Sequence, residues 1–161
     1  EFDYYAIRER RRKLVKERLK QYGLEKKPGV EETLLALRKK GIKTAVATAT
    51  PLELTKEHLT KLGLVELFDS IVSAKEVENG KPAPDIYLLG AEKLGLDPRN
   101  CLALEDSPTG IRAAHAAGCL PVMIPDLDQP DEETQNLLFA KADSLTDMIT
   151  LIQHQNENAP G

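Results

Sequence analysis

Apolar and polar positions along the chain follow two periods. Residues 4–22, YYAIRERRRKLVKERLKQY, contain neither Gly nor Pro and set Ile7, Leu14, Leu19 and Tyr22 among strong helix formers. That spacing predicts an exposed helix with a narrow apolar stripe, closed by Gly23, and EKKPG reads as a linker. From Val30 onward a unit recurs: helix, Gly, short apolar or β-branched strand, polar residues, helix. VEETLLALRKKG predicts a helix, IKTAVATAT a strand, PLELTKEHLTKLG a helix, LFDSIVSA a strand and DIYLLGAEKLG a helix. CLALE, PTGIRAAHAAG and LPVMIP continue as strand, helix and strand. Such alternation implies βαβ crossovers and an α/β fold, a doubly wound parallel sheet with helices on both faces. Residues 126–139 read as an acidic, Pro-containing connection, ADSLTDMITLI as a last helix, and 153–161 as a flexible tail.

Composition bounds this picture. With 161 residues, 41% apolar and 30% charged, the chain is the size of one domain, and with no Trp and 4% aromatics its core must be aliphatic. No apolar run approaches the roughly 18 residues that span a bilayer, and residues 1–27 are charged and unlike a signal peptide, so no membrane partner and a cytoplasmic location are expected. Cys101 and Cys119 open two apolar stretches and are expected as reduced, partly buried thiols. Residues 1–27 carry ten Lys or Arg against five acids, and the remainder twelve against twenty-one. The run RERRRK at 8–13 lacks interleaved aromatics and is read as a solvated helix face, with no nucleic-acid partner expected.

Candidate chemistry falls at the carboxyl ends of the expected strands, where ligand crevices of open parallel sheets lie. LALEDSPTG at 102–110 runs from strand into two adjacent acids, Glu105 and Asp106, and then into Ser107-Pro108, a helix start. Two carboxylates held together repel each other unless a cation or a proton sits between them, and oxygen ligands of this kind suit Mg²⁺. In NGKPAPDIY at 79–87, Lys81 lies in a loop stiffened by Pro82 and Pro84, placed to set a point charge on a phosphate. ATATPLE at 47–53 reads as a capping box with Thr50 at the cap, Pro51 at the first helical position and Glu53 at the third. That assignment leaves Thr48 as the hydroxyl facing a ligand.

Thr48 in VATAT, Lys81 in GKPAPD and the acid pair in LEDSPTGIRAAHAAG resemble, in order, motifs two, three and four of the haloacid dehalogenase-like hydrolases. The similarity covers roughly 28–150 and is nearest the branch of beta-phosphoglucomutase and related sugar-phosphate phosphatases. The resemblance implies a Rossmann-like core over 28–152, with 1–27 a remnant of a helical cap and its linker. It further implies phosphoryl transfer from a small phosphorylated metabolite through an aspartyl-phosphate. Thr48 would hydrogen-bond the phosphoryl group, Lys81 would neutralise its charge, and Glu105 and Asp106 would hold Mg²⁺. Pro51, where the mutases can carry Lys, tilts the expectation towards a phosphatase.

The family's first motif, a strand ending in Asp-x-Asp-Gly-Thr that supplies the nucleophile, has no match. The Asp-x-Asp at Asp126-Leu127-Asp128 follows the fourth motif, is flanked by Pro125 and Pro130, and is not expected to attack phosphorus. These 161 residues alone are therefore expected to be inactive. In the family the first strand lies between those at 43–48 and 101–105. Without it, either another strand fills the gap or those two pair directly in the order 2-1-3-4, and unpaired edges would favour self-association. A catalytically inactive phosphate- or metal-binding or interaction module is the alternative. A receiver domain places its acids first and its Lys-Pro last, the reverse of the order here.

Overall fold

Asp3 begins the first helix by accepting the Ala6 N–H at 3.0 Å, and Gly23 ends it at a positive φ while donating to the Leu19 carbonyl. Between them α1 (Tyr4–Tyr22) leaves Ile7, Leu14, Val15 and Tyr22 exposed, as the narrow stripe predicts. The computed structural model describes residues 3–126, 129–150 and 152. The expected tail at 153–161 lies outside the described residues, as do Leu127 and Asp128 of the Asp-x-Asp.

The repeating unit then follows as α2 (Val30–Lys39), β1 (Ala45–Thr48), α3 (Leu52–Lys61), β2 (Ser70–Ser73), α4 (Asp85–Leu94), β3 (Leu102–Glu105), α5 (Pro108–Ala116) and β4 (Leu120–Met123). The strand expected over 42–50 contracts to four residues. The stretch 126–139, expected as an irregular connection, contains α6 (Glu132–Leu137), capped by Asp131 on the Thr134 N–H, and is followed by a strand that was not expected, β5 (Ala140–Lys141). EETQNL has no apolar period to announce a helix, and a two-residue strand is shorter than any alternation. The last expected helix is present over 147–150, opened by a reciprocal cap in which Ser144 and Asp147 each accept the other's N–H.

All strand pairs are parallel, in two sheets, β1-β2 and β3-β4-β5. Direct pairing of β1 with β3, one of the two expected arrangements, does not occur: each bonds only the partner on its far side. The two sheets are joined instead by helices. Ile86 and Tyr87 of α4 and Ala113 and Ala114 of α5 pack with Val72 of β2, Ala103 of β3 and Cys119 in one apolar cluster, with Ala47 of β1 at its margin. A second cluster, Val122, Ala142 and Met148, is packed by Leu102, Ile124 and Ala140. The architecture is α/β with parallel sheets and flanking helices.

Both cysteines are free, and burial pushes the Cys119 thiol up to about 11. Among the described residues no helix is long and apolar enough to cross a membrane. The C-terminal segment is tied to α2: Thr33 donates its hydroxyl to the Leu145 carbonyl at 3.0 Å, and Gly29, at φ +80, leads the chain into the helix against Thr146. A Cβ on Gly29 would lie 2.3 Å from Thr146 Oγ1 as well as forcing a left-handed backbone on an L-residue. Gly29→Ala should therefore lower stability by about 1–2 kcal/mol, measured by urea denaturation; an unchanged midpoint would show that this turn is not what seats α2.

Candidate active site

The loop before α4 is built to hold Lys81. Asp85, the first residue of α4, accepts from both the backbone N–H and the side-chain amide of Asn79 at 3.1 Å, and the Ala83 N–H donates to the Gly80 carbonyl at 3.0 Å. Lys81 sits inside this closed loop and reaches Glu105 at the end of β3, where its ammonium donates to Oε1. The Glu105 side chain is only 8% exposed and that of Lys81 23%, so the pair is largely withdrawn from water.

Tyr87, from the first turn of α4, donates its hydroxyl to the same Oε1 and lies with its ring 5.0 Å from the Lys81 ammonium. Burial first, and then the negative charge of Glu105, raise the phenol far above its ordinary range, so it stays a donor. Tyr87 was legible in the sequence only as an apolar helix position in NGKPAPDIY. Its spacing from Lys81 carried no separate signal, because an aromatic at the start of a core helix is ordinary packing.

The other carboxylate oxygen, Oε2, lies 3.4 Å from the Ser107 hydroxyl. Ser107 in turn caps α5 by accepting the Gly110 N–H at 3.2 Å with Pro108 at the first helical position, the helix start expected from the sequence. Asp106 is different. It is exposed, and its carboxylate meets no hydrogen-bonding or charged partner among the described residues.

Thr48 ends β1 in register with Ser73 and makes no hydrogen bond to Lys81, Glu105 or Asp106. The expected capping box is not formed: α3 starts at Leu52 with Pro51 at the cap and no side-chain cap. Thr50 is committed elsewhere, its N–H to Thr48 Oγ1 at 3.1 Å and its carbonyl to the buried Ser73 hydroxyl at 2.7 Å. Thr48 therefore shapes the turn as an acceptor and retains its hydroxyl proton to donate. The structure brings Lys81 and Glu105 into contact, sets Asp106 beside them, and leaves Thr48 at the end of the other sheet.

Comparison with known proteins places these residues in context. The family model of the haloacid dehalogenase-like hydrolases matches residues 5–118, which contain all four. Hexitol phosphatase B of Escherichia coli (strain K12) is 36% identical over 121 residues, 75% of this chain and 54% of that protein. The crystal structure of CbbY from Rhodobacter sphaeroides in complex with phosphate is similar at 33% identity and a TM-score of 0.68, over 76% of this chain and 55% of that one. Beta-phosphoglucomutase from Clostridium difficile is similar at 29% identity and a TM-score of 0.69, over 81% and 56%. The chain thus spans about half the length of the relatives it matches.

The seat of Glu105 requires a glycine. A Cβ on Gly110 would come 1.9 Å from Oε2 and 2.1 Å from the carboxyl carbon, so an alanine there must displace the carboxylate from Lys81 and Tyr87. Gly110→Ala should cost about 1–3 kcal/mol, the range of overpacked sites, read as a fall in Tm by calorimetry. A variant as stable as the parent would mean that Glu105 is not held against α5.

Proposed function

The chain belongs to the haloacid dehalogenase-like hydrolases, and on that premise we propose that it carries the phosphate- and metal-binding residues of a Mg²⁺-dependent phosphatase of small phosphorylated carbohydrates. The observation that supports this reading is the arrangement at the end of β3: a lysine held against one inward acid, beside a second acid left open to solvent. Relatives named for hexitol phosphatase activity, and a similar structure in complex with phosphate, point to the same substrate class.

The donor set fits the metal. Asp106 and Glu105 offer hard carboxylate oxygens, Asp106 is unengaged, and Mg²⁺ takes one or two protein carboxylates while keeping waters and substrate oxygens for the rest. Bound there, Mg²⁺ would supply Lewis-acid stabilisation of phosphoryl charge. Lys81 neutralises the same charge from the other side, and Thr48 donates a hydrogen bond to a phosphoryl oxygen. Phosphoryl transfer asks mainly for such positioning and charge compensation.

The attacking aspartate is not among these groups, since the 161 residues hold Asp-x-Asp only at 126–128. Alone they are accordingly inactive, and hydrolysis of an aryl phosphate by a homogeneous preparation of them would overturn that point. The unpaired inner edges of β1 and β3 favour self-association, and a cytoplasmic setting suits two free thiols.

Calorimetric titration with Mg²⁺ should show binding that Asp106→Ala abolishes with the circular dichroism unchanged. In any longer form of the protein that supplies a nucleophile, Lys81→Ala should lower kcat by about 10²-fold, the usual effect of deleting one charge-stabilising donor. Retained Mg²⁺ binding or an unchanged kcat would return these residues to the solvated surface. Sedimentation of the 161 residues should show concentration-dependent dimers or larger species, and a strict monomer would mean the open edges are protected.

A further inference from the structure

Lys81 and Glu105 come from different parts of the chain, a loop and a strand end, and both are long, flexible side chains. Holding two such side chains at one distance costs rotamer entropy. One residue touches both. The Tyr87 ring is 9% exposed and packs in the cluster with Val72, Ala103 and Ala113, so its position is set by α4, α5 and both sheets. Its hydroxyl donates to Glu105 Oε1 and its face lies 5.0 Å from the Lys81 ammonium.

We propose that Tyr87 is a positioning residue that aligns the cation and the carboxylate of this site. The ring carries Lys81 by its π-face and the hydroxyl anchors Glu105, so the core rather than the side chains themselves sets the geometry offered to a phosphoryl group. This rests on the reading of Lys81 and Glu105 as the phosphate- and metal-binding groups. A phenylalanine would fill the core equally well, so the hydroxyl is what separates positioning from packing.

The test is site-resolved amine acylation of the metal-free 161-residue chain, followed by mass spectrometry. Lys81 should react more slowly than the exposed Lys20. Tyr87→Phe should raise the Lys81 rate about three- to tenfold, the range one net hydrogen bond is worth, and Tyr87→Leu should raise it further. Two lysines report on whether α4 itself has loosened: Lys93, on that helix and 2.6 Å from Glu76, and Lys43, which donates to the Leu94 carbonyl at 2.7 Å. Both should keep their rates in Tyr87→Phe. Lys81 reacting as fast as Lys20 in the parent, an unchanged Lys81 rate in Tyr87→Phe, or a parallel rise at Lys93 and Lys43 would each overturn the proposal. No metal or substrate enters the experiment, so failure of the Mg²⁺ titration and failure here are separate results.

Discussion

One carboxylate governs the arrangement of this protein's strand ends. Glu105 turns inward at the end of β3, where a charge without partners would carry an uncompensated desolvation penalty. Its partners converge from three places: Lys81 from the loop before α4, Tyr87 from the first turn of α4, and Ser107 from the cap of α5. Because β1-β2 and β3-β4-β5 share no hydrogen bonds, this polar cluster and the apolar contacts of α4 and α5 are what bind one sheet to the other. A change that removed the charge would therefore be felt in the packing as well as in the chemistry.

The bridging helices can serve that purpose because they are small where they meet the sheets. In α5, Gly110, Ala113 and Ala114 are buried, and Gly110 leaves the volume that the Glu105 carboxyl occupies. In α4, Gly90 faces Val72 of β2, which a Cβ would meet at 3.8 Å. An aliphatic core without tryptophan packs by close approach of backbones, and close approach in turn lets a buried tyrosine reach across from one sheet's helix to the other sheet's end strand. Leu104, 40% exposed on β3, shows the opposite condition on the strand edge where no neighbour bonds.

Local patterns were legible in the sequence where they repeat. The gly-terminated helices and the apolar strands of the βαβ units fall where the period places them, and Ser107-Pro108 starts α5 as its residue types require. What depends on contacts between distant residues was not legible. Thr50 has the composition of a helix cap, but the Ser73 hydroxyl donates to its carbonyl, and the helix starts one residue later than the capping box predicts, at Leu52. α6 is polar but for its last residue, Leu137, and is held by the Asp131 cap and by Arg112, which bridges Asp131 and Glu133. Tyr87 is buried on α4, a helix the sequence predicts; that its hydroxyl also reaches Glu105 is a fact of tertiary distance. Of the candidate site, Lys81 and Glu105 meet, while Thr48 belongs to the neighbouring sheet.

Burial divides the two acids: Glu105 closes β3 with a side chain only 8% exposed, and Asp106, the next residue and outside the strand, is exposed. Glu105 is compensated by Lys81, Tyr87 and Ser107, whereas Asp106 meets no hydrogen-bonding or ion-pair partner among the described residues. With Lys81, the three groups leave one net negative charge, which by itself repels a phosphate ester. A divalent cation would reverse that sign to one net positive charge, and the same cluster would then attract a phosphate dianion. Under the proposed function Glu105 and Asp106 would hold that cation, with Lys81 kept against Glu105. The fold thus spends its buried contacts on Glu105 so that Asp106 can remain exposed.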